Sequence, residues 1–198
     1  MKSKLLNVVL IAGLALAVGL LIKFIFFPSK VIPAEFSESR LRGAALAQKI
    51  VVLANASLNS LSEIADYDKQ GNTSEALIAI SRQLMKNREL HGEAIKLSSQ
   101  LEKMARSLPE IKPARARLVA TEAVTSEVTL VSRLISYNDY LAQLFEVLRA
   151  KFNDTAMAAN TNGRVEELIK KINDEAAAIN DLDKRFNDAL VEFDRLFL

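Results

Sequence analysis

Cysteine is absent from the chain. That excludes disulfides, thiolate metal sites, a cysteine nucleophile and a lipid-bearing cysteine. Tryptophan is absent too, and only 6 glycines and 4 prolines punctuate 198 residues. Few turn-formers mean few turns, so the elements must be long. His91 is the single histidine, so no site can draw on two. A di-iron bundle needs Glu-x-x-His on two helices, and here Arg88 stands three residues before His91. Hydrolase elbows, Gly-rich phosphate cradles and zinc spacings are missing. No catalytic residue, cofactor site or metal site is expected, and the chain reads as non-enzymatic.

Ala, Leu, Glu, Lys and Arg fill the spaces between the few turns, which favours helix over strand. The net charge of +2 is unevenly spread. Residues 1–33 hold Lys2, Lys4, Lys23 and Lys30 and no acid. Taking those four from 26 basic residues leaves 22 against 24 acids, so residues 34–198 carry about −2. A nucleic-acid partner calls for a basic domain and is not expected.

Residues 5–27 read LLNVVLIAGLALAVGLLIKFIFF. As a helix they would reach roughly 34 Å, enough for a hydrocarbon core of about 30 Å. Lys23 lies near one end, where it can snorkel to the headgroups. A cleaved signal peptide is the rival, but the apolar run is long and Lys23-Phe24-Ile25-Phe26-Phe27-Pro28 has no small-x-small pattern. The expectation is residues 1–4 as a short basic N-terminus, 5–27 as a transmembrane signal-anchor and 28–34 as a linker bracketed by Pro28 and Pro33. The chain would then be a single-pass membrane protein of the cell envelope with an extracytoplasmic bundle. The orientation rests on the short basic leader, since Lys30, Arg40 and Arg42 nearly balance Lys2 and Lys4.

Residues 35–198 divide into four helical segments, about 35–68, 74–107, 113–152 and 163–197. The breaks are at residues 66–72, at Pro109 to Pro113, and at residues 160–163. The first helix carries Ala47, Val51, Ala54, Leu58, Leu61 and Ala65, and the second Leu90, Ala94, Leu97, Leu101, Met104 and Leu108, both stepping by four and three. The third stripe is taken as Leu118, Val124, Val128, Val131, Leu134, Leu141, Leu144, Leu148 and Phe152. The fourth runs from Val165 to Phe197 through Leu182 and Phe186. Matched lengths and short connections predict an all-α fold, an antiparallel up-down-up-down four-helix bundle with coiled-coil-like long helices. An elongated hairpin that dimerises is the other option. In the bundle, the 107–113 loop and the C-terminus should share the end nearest the anchor.

Two groups of residues stand out. Lys103, Arg106, Lys112, Arg115 and Arg117 surround the near loop and offer contact with anionic lipid headgroups; the alternative is ordinary solvated helix-end charge. Tyr137 and Asn138 interrupt the third stripe. A buried Asn fixes register, while a polar pocket involving Asn55 or Asn87 would hold a small ligand. An anchor before long antiparallel helices resembles the LemA family, and Ser136-Tyr137-Asn138-Asp139-Tyr140-Leu141 is similar to the Tyr-Asn repeats late in that family's bundle. The resemblance is one of architecture. Three functions follow as expectations. The first is a membrane-anchored interaction or scaffolding bundle, with a protein partner or self-association. The second is a ligand-binding sensor acting through a partner. The third is a membrane-active protein touching anionic lipid.

Overall fold

The computed structural model describes residues 32–153 and 158–197. Residues 1–4, the 5–27 anchor and most of the 28–34 linker lie outside the described residues. No helix among the described residues is long and apolar enough to cross a membrane.

Four long helices pack as an up-down bundle: α1 (Ala34–Gln70), α2 (Thr73–Ser107), α3 (Ala114–Asn153) and α4 (Ala158–Arg195). Pro33 precedes α1, where its missing N–H removes no helical hydrogen bond. Between α1 and α2, Gly71 takes φ +69° and its N–H bonds the Asp68 carbonyl, closing α1 in a left-handed cap. Asn72 caps α2 through its side-chain oxygen, which accepts from the Glu75 N–H. Asn72 serves as the cap because its oxygen reaches the N–H three residues on. A 3-10 turn, Leu108–Glu110, leads to Pro113, whose carbonyl accepts from the Arg117 N–H at the start of α3. Helix α4 begins five residues earlier than expected, so residues 160–163 lie inside it. Asn and Gly there are weak helix formers but not breakers.

Cross-helix bonds fix the antiparallel register. Between α1 and α2 they join Glu35 to Ser107, Lys49 to Glu93 and Ser57 to Gln83. Between α3 and α4 they join Arg115 to Glu192, Arg133 to Glu175 and Gln143 to Arg164. In each series the number rises on one helix as it falls on the other. Lys151 of α3 meets Asp68 of α1 at 2.7 Å, placing the 71–72 turn and the end of α3 together. At the opposite end, Phe36 meets Phe193 at 5.8 Å and Phe193 meets Phe197 at 4.9 Å, with Ile111 buried there. The start of α1, the 108–113 turn and the C-terminal end of α4 therefore share one end.

The core is a set of seams stepping by four and three. On α2 the buried series is Ala76, Ile80, Gln83, Asn87, Leu90, Ala94, Leu97, Leu101, Met104. On α3 it is Ala116, Ala120, Ala123, Glu127, Leu130, Leu134, Tyr137, Leu141, Leu144. The expected α3 stripe missed at two positions, Leu118 and Val128, while Val124, Val131, Leu134, Leu141 and Leu144 are buried. Leu118 is 68% exposed and Val128 49% exposed, while alanines 116, 120 and 123 are inside. Small side chains let neighbouring helices approach, and helical direction, not side-chain size, decides which face is covered. On α4 the same shift puts Asp183 inside and leaves Leu182 half-buried.

Gly71 tests the turn alone. Nothing lies within 4 Å of a Cβ added there, so only its positive φ opposes substitution. Gly71→Ala should lower stability by about 1 kcal/mol, read as a lower urea midpoint with unchanged slope.

Candidate functional site: the polar breaks in the seam

Each seam is broken by polar side chains, and these form three groups along the bundle. Nearest the 71–72 turn, Ser57 of α1 accepts a short hydrogen bond from Gln83 Nε2 of α2 and donates its own proton to the Leu53 carbonyl at 3.1 Å. One turn further along α2, Asn87 and Asn138 of α3 exchange bonds. Asn87 Nδ2 donates to the Asn138 carbonyl at 2.9 Å, and Asn138 Nδ2 donates to the Asn87 carbonyl at 3.1 Å. Both asparagines are buried, and each Oδ1 is left without a partner. The exchange is reciprocal, so it forms at one relative position of the two helices. Tyr137 beside it is also buried, and burial pushes its hydroxyl up to about 12. The structure thus brings together Tyr137, Asn138 and Asn87. Asn55 stands on the half-buried side of α1.

The second group lies between α3 and α4. Glu127 is fully enclosed, and burial, with the Asp183 carboxylate adding to it, pushes its carboxyl up to about 8. Asp183 is raised too, chiefly by burial. Glu127 Oε2 and Asp183 Oδ1 have no hydrogen-bond partner. At neutral pH Glu127 is therefore a protonated, uncharged acid at a core position. Around it are Gly43, Ala44 and Ala47 of α1, Leu97, Leu101 and Met104 of α2, and Phe186 of α4. They line a cavity of about 10 Å³ that Arg40 also borders. That is room for about one water.

The third group closes the bundle at the Phe36 end. Arg40 of α1 grips Asp194 of α4 through two bonds, 3.1 and 3.3 Å, with both residues buried. Helices α1 and α4 meet here mainly through side chains, because close backbone packing runs α1/α2, α2/α3 and α3/α4. The bidentate fork supplies direction across that gap.

The basic residues of the near loop share that same end but differ in their partners. Arg106 pairs with Glu102 at 3.4 Å, Arg115 with Glu192, and Arg117 donates to the Pro109 carbonyl at 3.3 Å. Lys103 is half-buried and Lys112 exposed. Over residues 33–42, 102–122 and 188–197, eight basic side chains face eight acidic ones. His91 flanks the α2 seam, half-buried, and no group of three or more metal-binding side chains occurs among the described residues.

Glu127, Asp183, Gln83 and the Arg40–Asp194 pair were not picked out from the sequence. The signal existed, since the 4-3 stepping from Ala116 to Leu144 runs straight through Glu127. A search for large apolar residues skips it.

Two outcomes follow. The folded pKa of Glu127 lies above its unfolded value of 4.5, so the native state holds the extra proton. Its contribution is complete below about pH 4.5 and is lost as pH rises towards about 8. Stability should fall over that window with a slope of up to about 1.4 kcal/mol per pH unit. Glu127→Gln should flatten the profile, measured by urea unfolding at successive pH values. Asn138→Leu should cost about 0.5–1.5 kcal/mol, because it removes the Asn138 Nδ2 bond to the Asn87 carbonyl while Asn87 Nδ2 keeps the carbonyl of residue 138. Asn87→Leu should cost a similar amount, and the two losses should nearly add in a double-mutant cycle read by urea unfolding, because each bond runs from a side chain to the other residue's backbone. No family model, curated protein or solved structure matches this chain.

Proposed function

We propose that the chain is a membrane-anchored, non-catalytic interaction or scaffolding bundle of the cell envelope. Residues 5–27 serve as its tether, and a protein partner or a second copy serves as its ligand. One observation carries the reading: the start of α1, the 108–113 turn and the end of α4 share one end. An apolar segment entering at Pro33 holds that end against the bilayer. Helices of 35–40 residues then project the 71–72 turn outward by about 50 Å. The balance of charges at the near end disfavours lipid contact by the basic cluster as the main role. Asn87 and Asn138 each direct one amide N–H at the other's backbone and neither lines the small cavity beside Glu127, which disfavours the sensor reading.

The test is made on the full chain. It should stay in the membrane fraction through alkaline extraction, and a form lacking residues 1–27 should be released. Light scattering of the detergent-solubilised chain, after correction for detergent, should give a dimer or a larger species. Release of the full chain by alkali, or a monomer that recruits no envelope protein, would overturn the proposal.

A further inference from the structure

Helix α3 carries a second seam that the core does not use. Leu118, Thr121, Thr125, Val128, Ser132 and Ile135 step by three and four, as the buried series does, but on the outward side. Leu118, 68% exposed, is the most exposed large apolar side chain among the described residues. Val128 is 49% exposed, Thr121, Thr125 and Ser132 are exposed, and Ile135 is half-buried. The Thr121 hydroxyl donates to the Arg117 carbonyl at 2.8 Å, so it can be covered without losing its bond. No position of the stripe is charged. Arg117 and Glu122 flank its start, both exposed. Neither makes an ion pair with another described residue.

We propose that this stripe is a self-association surface, on which a second copy of this chain lays its own α3, parallel, about a two-fold axis running along the helices. The proposal rests on the anchored-bundle reading and names the surface that reading needs. Such an axis stands along the membrane normal, so both copies enter one bilayer in the same sense through residues 5–27. It sets each residue of the stripe against its own copy, Leu118 on Leu118 and Val128 on Val128. A charge on the stripe would face its like, and there is none until Asp139 ends the series. Leu118, Thr125 and Ser132 take the a positions of a heptad, and Thr121, Val128 and Ile135 the d positions. Arg117 is then a g residue and Glu122 an e residue. In a parallel pair a g residue faces the partner's e residue five places on, so Arg117 of each copy meets Glu122 of the other. The opposite-charge pair occurs twice, as an isologous interface requires. The outward stripe of α1, through Leu41, Ala45, Gln48 and Val52, lacks this match. Its e positions are the bases Arg42 and Lys49, and its g positions Ser37 and Ala44 carry no charge.

One helix face over about five turns buries only several hundred Å², well below the roughly 1,200 Å² of a stable soluble interface. Two copies held upright in one bilayer meet at high effective concentration, and a surface of this size suffices there. The stripe begins one turn into α3, in the half of the bundle nearest the anchor, where tilting of either copy separates the faces least.

The absence of cysteine makes the test clean, because each substitution introduces the only thiol. Copper–phenanthroline oxidation of membranes carrying the full chain should give a disulfide-linked dimer with Thr121→Cys and, separately, with Val128→Cys. Both must respond, since a parallel pairing sets every position of the stripe against itself. Met85→Cys, 64% exposed on α2, should give none. Adding Glu122→Arg to Val128→Cys should reduce the cross-linked fraction several-fold, and adding Arg117→Glu as well should restore it. Cross-linking at either α3 position no greater than at Met85→Cys, or a charge swap that does not restore it, would overturn the surface. If light scattering still reports a dimer in that case, this face alone is wrong and self-association stands. If it reports a monomer, self-association fails with it.

Discussion

Everything in the bundle depends on keeping four long seams in step. Apolar side chains alone do this poorly. A helix of nearly forty residues can slide by one heptad and bury a similar set of Leu, Ile and Ala. The polar breaks are what tell one register from the next. Asn87 and Asn138 bond to each other's backbone only when those two residues lie opposite. Gln83 needs Ser57 in the same way. A slip of seven residues would set Gln83 against Ile50 or Ile64, which offer no side-chain acceptor, at about 1–3 kcal/mol, and would undo the reciprocal exchange of the two asparagines. The two orphaned Oδ1 atoms show that this specificity is held at some expense of stability, as with buried asparagines in coiled coils.

The helices themselves were legible because their punctuation is local. Pro33, Gly71, Pro109 and Pro113 all mark ends, and the number of helices and their antiparallel order follow from them. The seam was less legible because it is a collective property. On α2 the expected series from Leu90 to Met104 is buried throughout, although Ile78, Met85 and Ile95 of the same helix are exposed. On α3 Leu118 and Val128 point outward while three alanines point in. Size and burial part company there, and only the phase set by the rest of the helix tells which face is inside. The start of α4 was missed for the opposite reason. Asn160 and Gly163 look like a break, but isolated poor helix formers are carried along when the helix beyond them is well packed. Tyr137 and Asn138 were legible as a break in the third stripe. Their partner Asn87 lies on another helix, and choosing it over Asn55 needs the register.

The charges follow the same division between local and collective. Along the chain, the residues from Lys103 to Arg117 look like a basic patch. Folding brings Glu35 and Glu38 from α1 and Asp188, Glu192 and Asp194 from α4 to the same end. Arg115 then spends its charge on Glu192. Pairs this exposed contribute little to stability. Their effect is to flatten the field at that end.

Glu127 is the hardest of the breaks to account for, and its protonation explains how it is tolerated. An ionised carboxylate enclosed by Leu97, Leu101, Met104 and Phe186 would lose several kcal/mol of hydration with no cation to replace it. Arg40 borders the same cavity, but both of its terminal nitrogens hold Asp194. Keeping a proton at pH 7 on a group with an unfolded pKa of 4.5 costs only about 3 kcal/mol, so the neutral acid is the less unfavourable form. The proton does for Glu127 what Arg40 does for Asp194, removing a charge that the core cannot hold. Gly43 and Ala47 line the same cavity, and a Cβ added at Gly43 would come within 3.4 Å of Leu97. The seam at this layer is therefore set by size, through the close approach of α1 to α2 at Gly43. At the Asn87 layer it stays in step through directed hydrogen bonds.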